Sequence, residues 1–220
     1  MSADVAVCNF SYARQLLALL LAHGIRELAL APGSRCAPLT LAAASDPRWR
    51  LHGHFDERGL AFFALGLARR LGRPVAVLVT SGTAVANLLP ATVEADLLDV
   101  PLLLLTADRP PELLDCGANQ AIRQQGLFGQ HLRASHNLQP SMQEKLASAD
   151  EHAIRQLLLG LLQRPGPCQL NIMLREPLYP AAAALALPPL PLPQPSTPLD
   201  STPEVHTQPH WALLRQQPGV

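Results

Sequence analysis

Strong charge of either sign is missing from this chain of 220 residues, and so is any long apolar run. Seventeen Lys and Arg side chains balance 17 Asp and Glu, which excludes the basic surface typical of nucleic-acid-binding domains. No uninterrupted stretch reaches the ~20 apolar residues of a membrane-spanning helix. The first residues lack the basic segment and cleavage site that mark a signal peptide. We therefore expect no nucleic-acid partner, no membrane span and a cytoplasmic protein.

Cysteine and histidine are present, but not in the spacings that bind metals or form disulfide frameworks. No two of the four cysteines form a C-x-x-C pair. Isolated thiols of this kind are typical of proteins in a reducing compartment. The eight histidines show no metal-ligand spacing either. We predict no metal site in this chain, and a structural or peripheral role for His52 and His54, because no carboxylate or cysteine completes a site with them.

The composition favours a folded domain in which strands and helices alternate. Hydrophobic residues make up 48% of the chain and charged residues 15%. Residues 75–80 are the clearest strand, apolar throughout, as in strands buried on both faces. Further strands are predicted at 27–31, 49–55, 101–106 and 169–174, and helices from Asn9 or Ser11 to His23 and at 38–44, 57–71, 84–98 and 148–163. This alternation predicts an α/β fold, a mostly parallel central sheet with helices on both faces.

The character of the chain changes after Tyr179. Six prolines fall close together, at positions 188, 189, 191, 193, 195 and 198. Such a segment is typical of an extended, polyproline-like linker. A few apolar residues around Trp211 follow it. We expect residues 1–180 to form one domain, and residues 181–220 to form a Pro-rich linker and the start of a truncated second domain.

Polar loops follow four of the predicted strands. They cover residues 32–35, 56–58, 81–83 and 108–110, and together they hold arginines, a carboxylate and small hydroxyl residues. Ligands of open α/β sheets bind beyond the carboxyl ends of the strands, so these loops predict a site at one edge. Arginines in such a site favour an anionic ligand, such as a carboxylate.

Each of these loops also has an ordinary structural interpretation. Glu57 can be a helix-start carboxylate that the helix dipole favours. The 81–83 turn can be a simple helix start, since it lacks the Lys of a phosphate-binding loop. Arg35 and Arg109 can be surface charges. The residue types alone therefore leave both interpretations open.

The loop sequences are more specific than their residue types. The chain carries, in this order, APGSR at 31–35, HFDERGL at 54–60, TSGTAVAN at 80–87, LTADRPPEL at 105–113 and DCGANQAIR at 115–123. Together they resemble the N-terminal region of the 2-succinyl-5-enolpyruvyl-6-hydroxy-3-cyclohexene-1-carboxylate synthases, thiamine-diphosphate enzymes of menaquinone biosynthesis. The resemblance extends to Tyr179 and implies the pyrimidine-binding (PYR) domain of such an enzyme.

The resemblance implies a reaction and a set of site residues. The family decarboxylates 2-oxoglutarate on thiamine diphosphate and adds the resulting succinyl-semialdehyde carbanion to isochorismate. Glu57 matches the catalytic carboxylate that hydrogen-bonds the pyrimidine nitrogen N1′. The other residues expected to bind the cofactor are Pro32, Gly33, Thr83 and Asn87. The residues expected to bind substrate are Ser34, Arg35, Arg109 and Gln120.

The resemblance also implies that part of the site lies elsewhere. The Gly-Asp-Gly motif that holds diphosphate and Mg²⁺ in the family does not occur in this sequence. We therefore expect a fragment that is inactive alone, with the metal and diphosphate ligands in a missing C-terminal domain. Self-association into a homodimer or tetramer is expected, because PYR domains cover apolar surface against partner domains. The alternatives are another thiamine-diphosphate decarboxylase or carboligase, and a stand-alone α/β module for an anionic metabolite.

Overall fold

Six parallel strands form the centre of the chain. The computed structural model describes residues 4–141 and 144–194. The strands are β1 (Glu27–Leu30), β2 (Arg50–Gly53), β3 (Val75–Val79), β4 (Leu102–Asp108), β5 (Ala134–Leu138) and β6 (Cys168–Met173). Their spatial order is β2-β1-β3-β4-β6-β5, and every neighbouring pair is parallel. The predicted α/β fold with a parallel sheet is confirmed.

Helices cover both faces of this sheet. They are α1 (Val5–Ala22), α2 (Ala37–Ala44), α3 (Glu57–Leu71), α4 (Thr83–Ala86), α5 (Leu89–Leu97), α6 (Ser148–Gln163) and α7 (Ala182–Leu185). One core contains side chains of α1, α2 and α6 together with strand residues such as Leu28 and Leu78. The other contains α3, α4 and α5 with Ala29 and Val77. Successive strand residues thus face opposite cores, which explains why the central strands are apolar throughout.

Helix α1 is long and apolar because it belongs to the core of one face. The Asp4 carboxylate accepts a hydrogen bond from the Ala6 N–H at 2.9 Å and caps the helix, so α1 begins before the predicted start at Asn9 or Ser11. Among the described residues it is the one helix long and apolar enough to cross a membrane, but 67% of it is buried inside the fold. Packing against the sheet therefore accounts for its composition.

Helix α3 begins and ends at residues suited to these positions. The Asp56 carboxylate accepts a hydrogen bond from the Gly59 N–H at 2.8 Å, which caps the first turn and fixes Glu57 as the first helical residue. At the other end Gly72 has φ +63°, a left-handed conformation that glycine adopts without steric cost. The predicted helix at 57–71 is confirmed, and its start lies at the carboxyl edge of the sheet.

Other elements differ from the sequence-based predictions. Strand β5 was not predicted, because its sequence is polar and it pairs with a single neighbour, β6. The predicted helix at 84–98 is two helices, α4 and α5, which Asn87 and Leu88 separate. After α7 the chain continues to Gln194 without helix or strand. Pro195, Pro198 and the residues around Trp211 lie outside the described residues, and the domain boundary at 180 stays a prediction.

A buried carboxylate joins the strands at the opposite, amino-terminal edge of the sheet. Glu27 is 3% exposed, and its Oε1 accepts from Arg50 at 3.1 Å and from Arg73 at 2.8 Å. Its Oε2 lies 2.9 Å from His52 Nε2. The sequence did not indicate this contact, because Glu27 and His52 lie on neighbouring strands and meet only through the pairing of β1 with β2. His52 remains structural.

The Glu27 cluster predicts a specific response to acid. Burial on its own would raise the pKa of Glu27, but hydrogen bonds from His52 and Arg50 and the charges of Arg50 and Arg73 outweigh it and lower the pKa. Its contribution to stability is therefore complete above the ordinary glutamate pKa of about 4.3 and is lost as the pH falls through the lowered value.

We expect the difference in unfolding free energy between the unmodified chain and Glu27→Gln to be constant near neutral pH and to shrink below about pH 4.3. Urea denaturation at a series of pH values measures it. The matched control is Glu94→Gln, a change of an exposed carboxylate on α5, for which we expect a small difference. If the difference in unfolding free energy between the unmodified chain and Glu27→Gln grows on acidification, the lowered pKa of Glu27 is wrong.

Candidate functional site

The carboxyl edge of the sheet brings together the loops that the sequence singled out. Since all strands are parallel, the loops after β2, β1, β3, β4 and β6 lie along this edge in that order. The chain leaves the neighbouring strands β1 and β3 towards opposite faces of the sheet, because α2 follows β1 on one face and α4 follows β3 on the other. The crevice between the loops after β1 and β3 is therefore the topological switch point, where α/β sheets bind ligands.

The two loops that flank this crevice touch each other through Gly33. A Cβ atom at this position would lie 2.3 Å from Cβ of Thr80, the residue that follows β3, so no larger residue fits without displacing a loop. The Cys36 thiol lies 3.2 Å from the Gly33 carbonyl oxygen and donates to it. Burial raises the pKa of Cys36 to about 11, which keeps the thiol protonated and able to donate. The loop after β1 is thus held in one shape.

Glu57 lies at this edge with a free carboxylate. It is half-buried at the first turn of α3, and within the part of the chain that the structure describes it makes no hydrogen bond or ion pair. Its charge is compatible with the positive end of the helix dipole. The residue two positions earlier, Phe55, is 90% exposed. A half-buried carboxylate that lacks a partner among the described residues is suited to a ligand from outside this chain.

The other residues expected to bind the cofactor lie on the two loops of the crevice. Pro32 and Gly33 belong to the loop after β1, Thr83 is the first residue of α4, and Asn87 directly follows that helix. Pro32, Thr83 and Asn87 are exposed, and Gly33 is half-buried. The structure thus brings them to the same edge as Glu57, on strands that are neighbours in the sheet. Their roles stay predictions.

Arg35 lies at the same edge but is buried, with 4% of it exposed. Its Nη1 donates to the Leu174 carbonyl at 2.8 Å and its Nη2 to Glu176 Oε1 at 2.6 Å. Among the described residues its Nε has no partner. Burial lowers the pKa of Arg35, and the nearby charge of Arg109 lowers it further. Two guanidinium groups close enough to repel each other favour an anion between or beside them.

Arg109 directly follows β4 and is hydrogen-bonded to the loop after β3. Its guanidinium donates to the Ser81 hydroxyl and, at 2.6 Å, to the Asn119 carbonyl. Gln120 donates to the Ser81 carbonyl at 3.0 Å and has φ +55°, a conformation uncommon for a residue with a side chain. Strained residues of this kind persist where the surroundings fix them, often at functional sites. Ser34, the remaining residue expected to bind substrate, is exposed.

A buried polar network behind the site was missed by sequence reasoning. Gln124 is 1% exposed, and its Oε1 accepts from the Gly82 N–H at 2.9 Å. Its Nε2 donates to the Ala107 carbonyl at 3.1 Å and to Asn171 Oδ1 at 2.9 Å. One amide thus connects the loop after β3 with β4 and β6. The sequence signal for this network is the presence of Thr106, Asp108, Gln169 and Asn171 in strands that are otherwise apolar.

Asp108 completes the network at the end of β4. Its carboxylate accepts from the Arg109 N–H at 2.7 Å and from Asn171 Nδ2 at 2.8 Å. Burial raises the pKa of Asp108, although these hydrogen bonds and the charges of Arg109 and Arg35 oppose the effect. A carboxyl group beside both arginines therefore balances part of their charge before any ligand binds.

The predicted site residues fall into two groups along one edge. The first set lies at the β2, β1 and β3 end of the edge. It consists of Glu57 and the crevice residues, which offer a carboxylate and a hydroxyl. The second set lies towards β4 and β6. It consists of Arg35, Arg109 and Gln120, which offer guanidinium groups and an amide. His54 belongs to neither set of residues. Its Nδ1 accepts a hydrogen bond from the Asp56 N–H at 3.0 Å. Within residues 4–141 and 144–194, no cluster of three or more His, Cys, Asp or Glu side chains could hold a metal ion.

An all-parallel α/β sheet with a free carboxylate and two buried arginines at its switch-point edge defines a small-molecule-binding domain. Residues 10–133 match the family described as thiamine pyrophosphate enzyme, N-terminal TPP binding domain. The match covers more than half of the chain, so the chain belongs to this family. The residues of both groups all lie inside the matched range.

The names of individual relatives agree with the family match. The chain is 46% identical over 224 residues to the 2-succinyl-5-enolpyruvyl-6-hydroxy-3-cyclohexene-1-carboxylate synthase of Aeromonas salmonicida (strain A449), covering 98% of this chain and 39% of that protein. Proteins of the same name from Yersinia pseudotuberculosis (serotype O:1b) and Yersinia pestis (biovar Antiqua, strain Angola) are 54% identical over 180 residues, covering 80% of this chain and 31% of theirs. The chain thus spans less than half the length of these curated relatives.

The Gln124 network generates a prediction about stability. Gln124→Met leaves the Gly82 N–H buried without its acceptor, which costs about 1–3 kcal/mol of unfolding free energy. The adjacent change Gln125→Met alters an exposed side chain and should stay within about 0.5 kcal/mol of the unmodified chain. Chemical denaturation of the two variants measures both. Equal effects would show that the buried amide does not hold the loop.

Proposed function

We propose that this chain forms the pyrimidine-binding half of the active site of a thiamine-diphosphate-dependent synthase. In the complete enzyme the substrates would be 2-oxoglutarate and isochorismate, and the pathway would be menaquinone biosynthesis. The observation that carries the proposal is Glu57, a half-buried carboxylate at the carboxyl edge with no partner among the described residues. The names of the relatives support the choice of reaction.

Glu57 suits the contact that activates this cofactor. When bound, thiamine diphosphate supplies the carbon nucleophile and the electron sink for decarboxylation. The carboxylate of Glu57, in the first turn of α3, would share a proton with the pyrimidine nitrogen N1′. The touching loops at Gly33 and Thr80 would hold one wall of the pyrimidine site. The exposed Pro32, Thr83 and Asn87 would line it.

The arginine group suits the substrates. Both proposed substrates carry carboxylates, which pair with guanidinium groups in directed hydrogen bonds. Arg35 has an Nε without a partner among the described residues, and Gln120 lies beside Arg109 through their shared contacts with Ser81. The hydroxyl of Ser34 is exposed next to Arg35 in sequence. These residues would orient the substrate carboxylates, with the reacting carbon towards the pyrimidine side.

The rest of the cofactor site and the partners are part of the same proposal. Mg²⁺ and the diphosphate would be held by a part of the protein other than this chain. Apolar side chains of β2, α3 and the segment between them are uncovered, namely Leu51, Phe55, Phe62 and Phe63. An exposed patch of this kind marks an interaction surface, and we propose that a second copy covers it in a cytoplasmic homodimer or tetramer.

The role of Glu57 is tested in the complete enzyme. Glu57→Gln removes the acid–base function without changing the shape of the side chain, so turnover should fall by about 10²–10⁴-fold while the circular dichroism spectrum stays unchanged. Glu94→Gln, a change of an exposed carboxylate on α5, is the matched control and should leave turnover intact. Near-normal turnover of the Glu57 variant would refute the assignment.

The division of the site is tested with the chain alone. Since the diphosphate contacts dominate binding of such a cofactor, titration calorimetry with Mg²⁺ and thiamine diphosphate should detect weak binding or none. Tight binding would contradict the proposal that the metal and diphosphate ligands lie elsewhere. It would favour a self-sufficient binding module instead.

A further inference from the structure

The proline-rich segment that follows α7 lies against the domain. Residues 186–194 contain four prolines and form no helix or strand. Leu185 and Ala184, at the end of α7, pack against the core that α1, α2 and α6 share. Leu187 and Leu190 then line a shallow cleft together with Ala42 and Ser45 of the α2 region. The segment therefore continues along the same face of the sheet instead of leaving it.

Arginines from three separate parts of that face donate to the backbone of the segment. Arg14, in the middle of α1, donates to the Pro188 carbonyl. Arg48, in the loop after α2, donates through Nη2 to the Leu190 carbonyl at 2.8 Å. Arg155, on α6, donates through Nη1 to the Gln194 carbonyl at 3.1 Å. If the segment is a polyproline II helix, these carbonyls span about 19 Å along its axis.

Neighbouring side chains hold these guanidinium groups in place. Arg48 makes two hydrogen bonds to the Asp46 carboxylate, at 2.8 Å from Nε and 2.6 Å from Nη2. Arg155 pairs with Glu151 one helical turn away, at 2.7 Å. Arg14 lies over the ring of Phe10, 6.0 Å from its centroid. Donors that are already oriented lose less conformational entropy when they bind.

The chemistry of the segment matches these donors. Proline has no N–H, and an extended proline-rich chain forms no internal hydrogen bonds, so its carbonyls are free to accept. Arginine supplies only donors. A row of arginines is therefore complementary to the backbone of such a chain, while the half-buried Leu190 supplies apolar contact in the cleft. This complementarity does not involve the carboxyl edge, so it is independent of the function proposed above.

We propose that the face formed by α1, α2 and α6 is a docking site for a proline-rich segment, and that its occupant is residues 186–194 of the same chain. Arg14, Arg48 and Arg155 recognise the backbone carbonyls of that segment. The segment therefore follows a fixed path over the domain, and we call residues 186–194 the strap. The position of Gln194 relative to the sheet is set by these contacts.

Backbone ¹⁵N relaxation in the 220-residue chain tests this proposal. Leu187, Leu190 and Leu192 have N–H groups that report on the strap. We expect order parameters of about 0.85 for them, as in the helices, and values below about 0.6 in Arg14→Ala/Arg48→Ala. The charge-matched control is Arg69→Ala/Arg70→Ala, which removes two exposed arginines of α3 on the opposite face and should leave the order parameters of the strap unchanged.

Two results would overturn the proposal. One is a set of order parameters below about 0.6 for these leucines in the unmodified chain, a measurement that requires no variant. The other is a folded double variant in which the leucines remain as ordered as before. If the double variant does not fold, the single change Arg48→Ala provides the comparison, and an order parameter for Leu190 equal to that of the unmodified chain would then count against the proposal.

Discussion

The parallel pairing of the strands is the constraint on which the rest of the structure depends. Because β1, β2, β3, β4 and β6 all point the same way, every loop that follows one of them lies at one edge. Residues that are far apart in sequence, such as Glu57, Arg109 and Glu176, therefore share that edge. The same pairing buries the central strands on both faces and requires helices on each. Fold and site thus have a single physical origin.

Some side chains at the carboxyl edge of the sheet are held by hydrogen bonds, and others are not. Arg35, Arg109 and Gln124 are buried and hydrogen-bonded to the loops around them, so their positions are set before a ligand arrives. Glu57, Thr83 and Asn87 make no such contacts among the described residues and lie at least partly in solvent. A site with one rigid wall and one uncovered wall is suited to completion by another part of the protein.

The sequence predicted the features that depend on local pattern. Apolar runs such as 75–80 indicated buried strands, and the loops between elements indicated where polar groups would collect. What could not be predicted depends on contacts across the sheet. Glu27 and His52 meet through strand pairing, Gln124 reaches Gly82 across 42 residues of sequence, and polar β5 is a strand because β6 lies beside it. Neither composition nor periodicity contains that information.

We propose that Glu57 is the protein's partner for the pyrimidine ring of thiamine diphosphate. The most direct test is a crystal structure of the complete enzyme with the cofactor bound, in which the distance between the Glu57 carboxylate and N1′ is measured. We expect about 2.7–2.9 Å, the length of a charge-assisted hydrogen bond. A pyrimidine ring that binds elsewhere, with Glu57 directed to solvent, would exclude Glu57 as its partner.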